Sequence, residues 1–136
     1  MPTLTRWFIK AGLLYFVAAL VVAVLMHAPG AAGQPWLRAI GPTYLHILVV
    51  GWLTQLIFGI AFWLFPRYSA NRPRGSESLA QVSFVLLNLG LLLRIVGEPW
   101  LALGGNTGSL LLGSAVAQLL GGWLFVANTW PRVKER

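Results

Sequence analysis

The sequence predicts an all-α integral membrane protein, a bundle of four transmembrane helices. Hydrophobic residues make up 57% of the 136 residues and charged residues only 10%, which leaves too little polar surface to cover a soluble domain. Four apolar stretches are long enough to span a bilayer and are predicted as helices at about 7–26, 44–65, 79–96 and 109–130, within a single membrane domain. They must be helical because lipid satisfies no backbone hydrogen-bonding group.

The positions of the basic residues predict the orientation of the bundle. They lie before the first span, after the second and after the fourth, which is one side of the membrane if the helices alternate: Arg6, Lys10, Arg67, Arg72, Arg74, Arg132, Lys134 and Arg136. The connections on the opposite side contain one basic residue, Arg38. The positive-inside rule therefore predicts cytoplasmic termini. The net charge of +7 reflects this asymmetry and does not indicate a nucleic-acid partner.

The first span has two interpretations. It is a transmembrane helix or, alternatively, a signal peptide, because Arg6 and Lys10 precede an apolar stretch that is followed by small residues at 28–33. The connection at 29–43 is rich in proline and glycine, so we expect an irregular cap there. The chain has no cysteine, which excludes disulfides and thiolate metal sites.

Two histidines are the candidate metal ligands. His46 lies near the start of the second span and His27 at the end of the first, so both are expected near the outer membrane face. His27 alone is typical of an interfacial residue that ends a helix. The apolar residues one to three turns after His46, namely Val49, Val50, Leu53 and Ile57, suit either a flat macrocycle or ordinary helix packing.

The third span places a charged residue within the membrane. Arg94 lies in its outer part, where an arginine costs roughly 3 kcal/mol and requires a partner. One candidate is Glu98, four residues later on the same helix face. The other is a carboxylate of a bound cofactor, such as a haem propionate. Arg38, in the outer connection, is a further candidate contact for such a cofactor.

Stripes of small residues predict close helix packing. They lie on the second and fourth spans at four-residue spacing: Gly51, Gln55 and Gly59, and Gly113, Ala117 and Gly121. These seams lie either within the bundle or between protomers, so a homo-oligomer or a larger membrane complex is expected to use the Gly51/Gly59 and Gly113/Gly121 faces. The amides Gln55, Asn88 and Gln118 are expected to form interhelical hydrogen bonds.

The second span resembles a known family. The pattern of His46, Trp52, Phe58-Gly59, 61–63 (AFW) and Pro66 is similar to helix two of the catalytic subunit of haem-copper oxidases and nitric oxide reductases, and the segment 123–132, WLFVANTWPR, is similar to helix ends there. The resemblance implies that His46 is an axial ligand of haem b and that the protein lies in a bacterial inner membrane. Two histidines are too few for the binuclear centre of that family, so no oxygen or nitric oxide reduction is expected from this chain alone.

Three classes of function follow. The first is a small b-type cytochrome with one haem bound by His27 and His46, for electron transfer or for sensing redox state or gas; if His46 alone binds iron, two protomers share the haem or one site stays open. The second is a non-catalytic subunit or assembly factor that packs against a respiratory complex without a cofactor. The third is copper handling by the two histidines with Met26, a weak site without thiolate or carboxylate ligands.

Overall fold

The computed structural model describes residues 1–71 and 73–133, and these form helices connected by short turns. In chain order the elements are α1 (Thr3–Met26), a 3-10 turn (Ala31–Gly33), α2 (Pro35–Ala39), α3 (Gly41–His46), a π-helix (Ile47–Thr54), α4 (Gln55–Leu64), α5 (Glu77–Ala102), α6 (Gly108–Thr129) and a 3-10 turn (Trp130–Arg132). The all-helical class is confirmed. Four helical spans are long and apolar enough to cross a membrane, Thr3–Met26, Pro35–Leu64, Glu77–Ala102 and Gly108–Arg132.

The spans differ from the predicted bounds mainly at the end that holds the histidines. The 29–43 connection, expected to be irregular, contains α2 and α3, each with a proline in its first turn where the missing N–H is not needed. Helix α5 continues beyond 96 and includes Glu98 and Pro99. Pro99 has no N–H to donate to the carbonyl oxygen of Ile95, so this turn of α5 lacks one backbone hydrogen bond. Arg72, Lys134 and Arg136, which contribute to the predicted orientation, lie outside the described residues.

Helices α5 and α6 form one closely packed hairpin. The hydroxyl of Ser83 donates to the carbonyl oxygen of Gly121 at 2.7 Å, and the hydroxyl of Ser114 donates to that of Gly90 at 2.6 Å. A Cβ atom on Gly121 would lie 3.0 Å from Cγ of Leu87. Small residues therefore bring the two backbones together, and the hydroxyl groups bond across the seam.

Helix α1 packs against the π-helix and α4 in the other hairpin. A Cβ atom on Gly51 would lie 2.7 Å from Cγ of Tyr15, and one on Gly59 would lie 2.8 Å from Cβ of Phe8. Gly51, Gly59 and Gly121 thus lie in seams inside the chain, so an oligomer contact through these three glycines would meet faces that are already filled. Gly113 differs, because a Cβ atom there would meet nothing within 4 Å.

Aromatic side chains and amides join the two hairpins. The rings of Phe58 and Phe125 are stacked with centroids 3.7 Å apart. Nearer the middle of the helices, the Oδ1 atom of Asn88 accepts from Nε2 of Gln55 at 2.8 Å and from the hydroxyl of Tyr15 at 3.0 Å. The interhelical hydrogen bond expected for Gln55 and Asn88 is confirmed.

The last turn of the described chain returns to the end of α4. Arg132 is 1% exposed, and its Nε donates to the carbonyl oxygen of Pro66 at 3.0 Å. Its Nη2 donates to the carbonyl oxygens of Phe62 at 3.1 Å and Phe65 at 2.8 Å. These are carbonyl groups that the end of a helix leaves without an intrahelical partner. We call this end of the bundle, which also holds Arg6, Arg67 and Arg74, the basic end. We call the opposite end the histidine end.

Candidate functional site

The histidine end contains a cluster of three ionisable side chains, His46, Arg94 and Glu98. The Oε1 atom of Glu98 lies 3.1 Å from Nδ1 of His46 and 3.0 Å from an Nη1 atom of Arg94. His46 is the last residue of α3, whereas Arg94 and Glu98 lie one turn apart on α5. One carboxylate oxygen therefore joins the two hairpins. The local pair of Arg94 with Glu98, one of the two predicted alternatives, is present.

The three side chains of the cluster are buried to different degrees. The side chain of Glu98 is 10% exposed, that of Arg94 18% and that of His46 33%. The carboxylate and the guanidinium groups are thus mostly buried, whereas the imidazole group is more accessible. A buried carboxylate is stabilised by such paired cationic and hydrogen-bonding partners.

The hydrogen bonds of His46 define which ring nitrogen is available. Its Nδ1 lies 3.0 Å from the carbonyl oxygen of Pro42, besides its contact with Glu98. A carbonyl oxygen can only accept, so Nδ1 carries a proton and donates it. The neutral ring consequently keeps its lone pair on Nε2. A histidine whose Nδ1–H is bound by a carbonyl group and a carboxylate has the orientation and the tautomer that metal ligation requires.

Two buried polar atoms in the cluster have no protein partner. Within residues 1–71 and 73–133, the Oε2 atom of Glu98 and the Nε atom of Arg94 are buried without a hydrogen bond. An unpaired buried polar group costs about 1 to 3 kcal/mol. The cluster thus contains one buried acceptor and one buried donor that no described protein group satisfies.

The backbone next to His46 is unusual. Residues Ile47–Thr54 form a π-helix, in which the hydroxyl of Thr54 donates to the carbonyl oxygen of Val49 at 2.9 Å. π-Helical turns are rare and are found frequently at functional sites. The apolar residues that follow His46 lie on different sides: Val49, Leu53 and Ile57 are 50%, 46% and 53% exposed, whereas Val50 packs against the core. An apolar strip therefore runs from His46 along the outside of the bundle.

The other two predicted site residues lie at the same end without joining the cluster. The Nδ1 atom of exposed His27 lies 2.8 Å from the carbonyl oxygen of Ala23, so its Nε2 also keeps the lone pair. Helix α1 ends beside α3, since Met26 contacts Gly41. Arg38 is exposed and donates from Nε to the carbonyl oxygen of Ala32 at 2.8 Å. Neither His27 nor Arg38 bonds to the cluster in the part of the chain that is described.

The cluster contains two residues, His46 and Glu98, of the types that bind metal ions through nitrogen or oxygen. In the described ranges, 1–71 and 73–133, no group of three or more His, Cys, Asp or Glu side chains is arranged to hold a metal ion. Comparison with models of protein families, with curated proteins and with solved structures finds no match. The resemblance to haem-copper oxidases and nitric oxide reductases therefore stays a prediction from the sequence.

Sequence reasoning missed two contacts. The first is the contact between His46 and Glu98: depth along the helices predicts one level for these residues, but depth does not say which helix faces meet. The second is the contact of buried Arg132 with the end of α4, because the sequence predicts only that Arg132 lies on the side of the membrane with the other basic residues. A partial signal for it was present, because an arginine directly after a helix can bond to the last carbonyl groups of a neighbouring helix.

Proposed function

We propose that this protein is a small membrane b-type cytochrome that binds one haem at the histidine end, with Nε2 of His46 as an axial ligand. One observation carries the proposal: Nδ1 of His46 is held by both the Pro42 carbonyl group and the Glu98 carboxylate. This arrangement fixes the ring, raises the basicity of Nε2 and is common behind histidines that bind metals. The ring edge that carries Nε2 belongs to a side chain that is one-third exposed, 33%.

The surroundings of His46 fit a haem in two further respects. The exposed apolar strip of Val49, Leu53 and Ile57 offers a hydrophobic surface for a macrocycle. The guanidinium group of Arg94, whose side chain is 18% exposed, offers a charged donor for a propionate group in addition to its bond with Glu98. Arg38 is the other arginine at this end, and it would need to leave the Ala32 carbonyl group to contact a propionate.

The proposal has two versions, which differ in the second axial ligand of the haem iron. His27 has the same free Nε2 and lies at the same end, so it would complete a six-coordinate iron within one chain. Alternatively, His46 of a second copy would complete it, and the apolar strip would then be covered by an oligomer. A haem with two histidine ligands supplies one-electron transfer, whereas an open position allows a diatomic gas to bind. The chain has no Cys-x-x-Cys-His motif, so the haem would be non-covalent.

An absorption spectrum of the protein purified from haem-replete cells tests the proposal. We expect a b-type spectrum that His46→Ala abolishes, and that His27→Ala converts from six- to five-coordinate if His27 is the second ligand. If His27→Ala leaves the spectrum unchanged, the size of the haem-loaded particle shows whether two copies share the haem. Arg6→Gln, at the basic end, is a control for general effects of substitution. A colourless preparation, or a spectrum that survives His46→Ala, contradicts the proposal.

A second function is favoured by one surface of α6. Gly113 and Gly122 have no neighbour within 4 Å of a Cβ position, and a groove of about 540 Å³ lies beside Gly122, between Gln118 and Trp123. Open small residues beside an amide are typical of contacts between transmembrane helices. This surface supports the alternative that the chain is a non-catalytic subunit or an assembly factor that packs against a larger membrane complex. This alternative would be supported if a membrane partner co-purifies with a colourless preparation of the protein and no longer co-purifies with the Gly122→Leu variant.

A further inference from the structure

A small cavity at the basic end is surrounded by three arginine side chains. Its volume is about 180 Å³, and it is lined by Trp63, Phe65, Arg67, Pro73, Arg74 and Arg132. It lies between the end of α4, the loop before α5 and the last turn of the described chain. Among the described residues no carboxylate lines it: Glu77 contributes with Arg74 to two neighbouring cavities. No ion pair joins the described side chains of Glu77 and Arg74.

Among the side chains that the structure describes, the buried guanidinium of Arg132 has hydrogen-bond acceptors but no counter-ion. Its Nε and Nη2 atoms donate only to carbonyl oxygens, which are neutral, and Nη1 is buried without a partner among residues 1–71 and 73–133. The rings of Phe62 and Phe65 lie 5.8 and 6.0 Å from its Cζ atom. Carbonyl groups and ring faces offset part of the cost of burying a charge, but a buried cation is normally paired with an anion.

Arg67 and Arg74 increase the positive charge around the same cavity. Neither side chain has an ion pair or hydrogen bond within the described ranges. Three guanidinium groups around one cavity repel each other, and an anion between them removes this repulsion. A phosphate group matches the forked geometry of guanidinium, because two of its oxygens accept parallel N–H···O bonds, which a monatomic anion such as chloride cannot do. The exposed ring of Trp63 at the rim is typical of the membrane interface.

We propose that the cavity between Arg67, Arg74 and Arg132 binds a phosphate group, supplied either by the headgroup of an anionic phospholipid or by a free phosphate compound. Basic pockets between transmembrane helices on the side where basic residues cluster bind such headgroups. The site lies at the opposite end of the bundle from His46, so the inference does not depend on the proposed haem.

Native mass spectrometry of the intact protein tests the lipid source. The protein is reconstituted into nanodiscs of phosphatidylcholine with a minority of phosphatidylglycerol and released into a neutral detergent, and the retained lipids are counted. We expect wild type to retain phosphatidylglycerol preferentially, and Arg67→Gln or Arg74→Gln to retain roughly tenfold less, the loss expected for one charge-assisted hydrogen bond. Thermal stability in inorganic phosphate, measured without lipid, tests the other source: phosphate stabilises wild type but not Arg74→Gln if a free phosphate binds.

The matched control is Arg6→Gln. It removes the same charge from the same end, where Arg6 bonds to the Thr3 hydroxyl at 3.1 Å, outside the cavity. If Arg6→Gln retains as much phosphatidylglycerol as wild type, the result supports a defined site. If it loses as much lipid as Arg74→Gln, the proposal is overturned, because the general positive charge of this end then explains the binding. Absence of both lipid preference and phosphate stabilisation also overturns it. Arg132 is not varied alone, because Arg132→Gln would remove its bonds to α4 and could prevent folding.

Discussion

The Oε1 atom of Glu98 lies 3.1 Å from Nδ1 of His46, so a carboxylate on α5 holds a histidine at the end of α3. The same oxygen lies 3.0 Å from Arg94. The contact crosses from one hairpin to the other, and His46 is therefore oriented only when the hairpins are packed together.

The first prediction concerns the charges behind His46. In haem-loaded protein, Glu98→Gln removes a negative charge near the iron and should raise the reduction potential, because the oxidised iron carries the greater positive charge. Arg94→Gln removes a positive charge and should lower the potential. Loss of a group that orients a metal ligand typically weakens binding about 10- to 100-fold, so Glu98→Gln should also release haem more readily. Redox titration and haem transfer to apomyoglobin measure both effects.

The double variant Arg94→Gln with Glu98→Gln is the control for these charges. Because it removes one charge of each sign, its potential should return close to that of wild type. Shifts of the same sign in both single variants would contradict the assigned geometry.

The second prediction concerns the seam between α1 and the π-helix. Gly51→Ala should destabilise the protein by about 1 to 3 kcal/mol, because the added methyl group would lie 2.7 Å from Cγ of Tyr15. Gly113→Ala is the matched control, since its methyl group meets nothing within 4 Å and alanine favours the helix by about 0.5 to 1 kcal/mol. Unfolding by sodium dodecyl sulfate measures both. A loss of stability in Gly113→Ala as large as in Gly51→Ala would contradict the packing.

The third prediction concerns the amide group that joins three helices. Asn88→Leu keeps the number and branching of the side-chain heavy atoms but removes the acceptor of Gln55 Nε2 and of the Tyr15 hydroxyl. The free energy of unfolding should fall by about 1 to 2 kcal/mol. Gln118→Met should cost less, because Gln118 Nε2 bonds to Ser114 of its own helix at 3.1 Å. Equal losses in the two variants would show that the interhelical bond contributes nothing extra.

The fourth prediction concerns orientation. Reporter fusions after Ala70 and at the C-terminus should behave as cytoplasmic, and fusions near Gly33 or Gly105 as external, because the positive-inside rule acts on the short basic loops. Alkaline phosphatase and green fluorescent protein fusions give opposite signals on the two sides. An external position for Ala70 would reverse the predicted topology.

The sequence alone determined the architecture of this protein. Long apolar stretches in a chain with few charges predict helices that are long and apolar enough to cross a membrane, because unpaired backbone groups are too costly in lipid. Depth along these helices also predicted that His46, Arg94 and Glu98 lie at one level, since each residue adds about 1.5 Å to a helix. Such local arguments succeed because they depend only on helix geometry and on the polarity of each residue.

The tertiary structure decided which faces meet. Glycine spacing alone could not say whether the Gly51 and Gly59 seam faces another copy or α1, and the contacts of Tyr15 and Phe8 settle this for the single chain. The π-helix has no signal in the sequence, and only the structure shows that Val50 packs against the core while Val49 is exposed. The pairing of His46 with Glu98 and the burial of Arg132 depend on rotation of the helices about their axes and on the docking of two hairpins, which side-chain packing across the whole bundle determines.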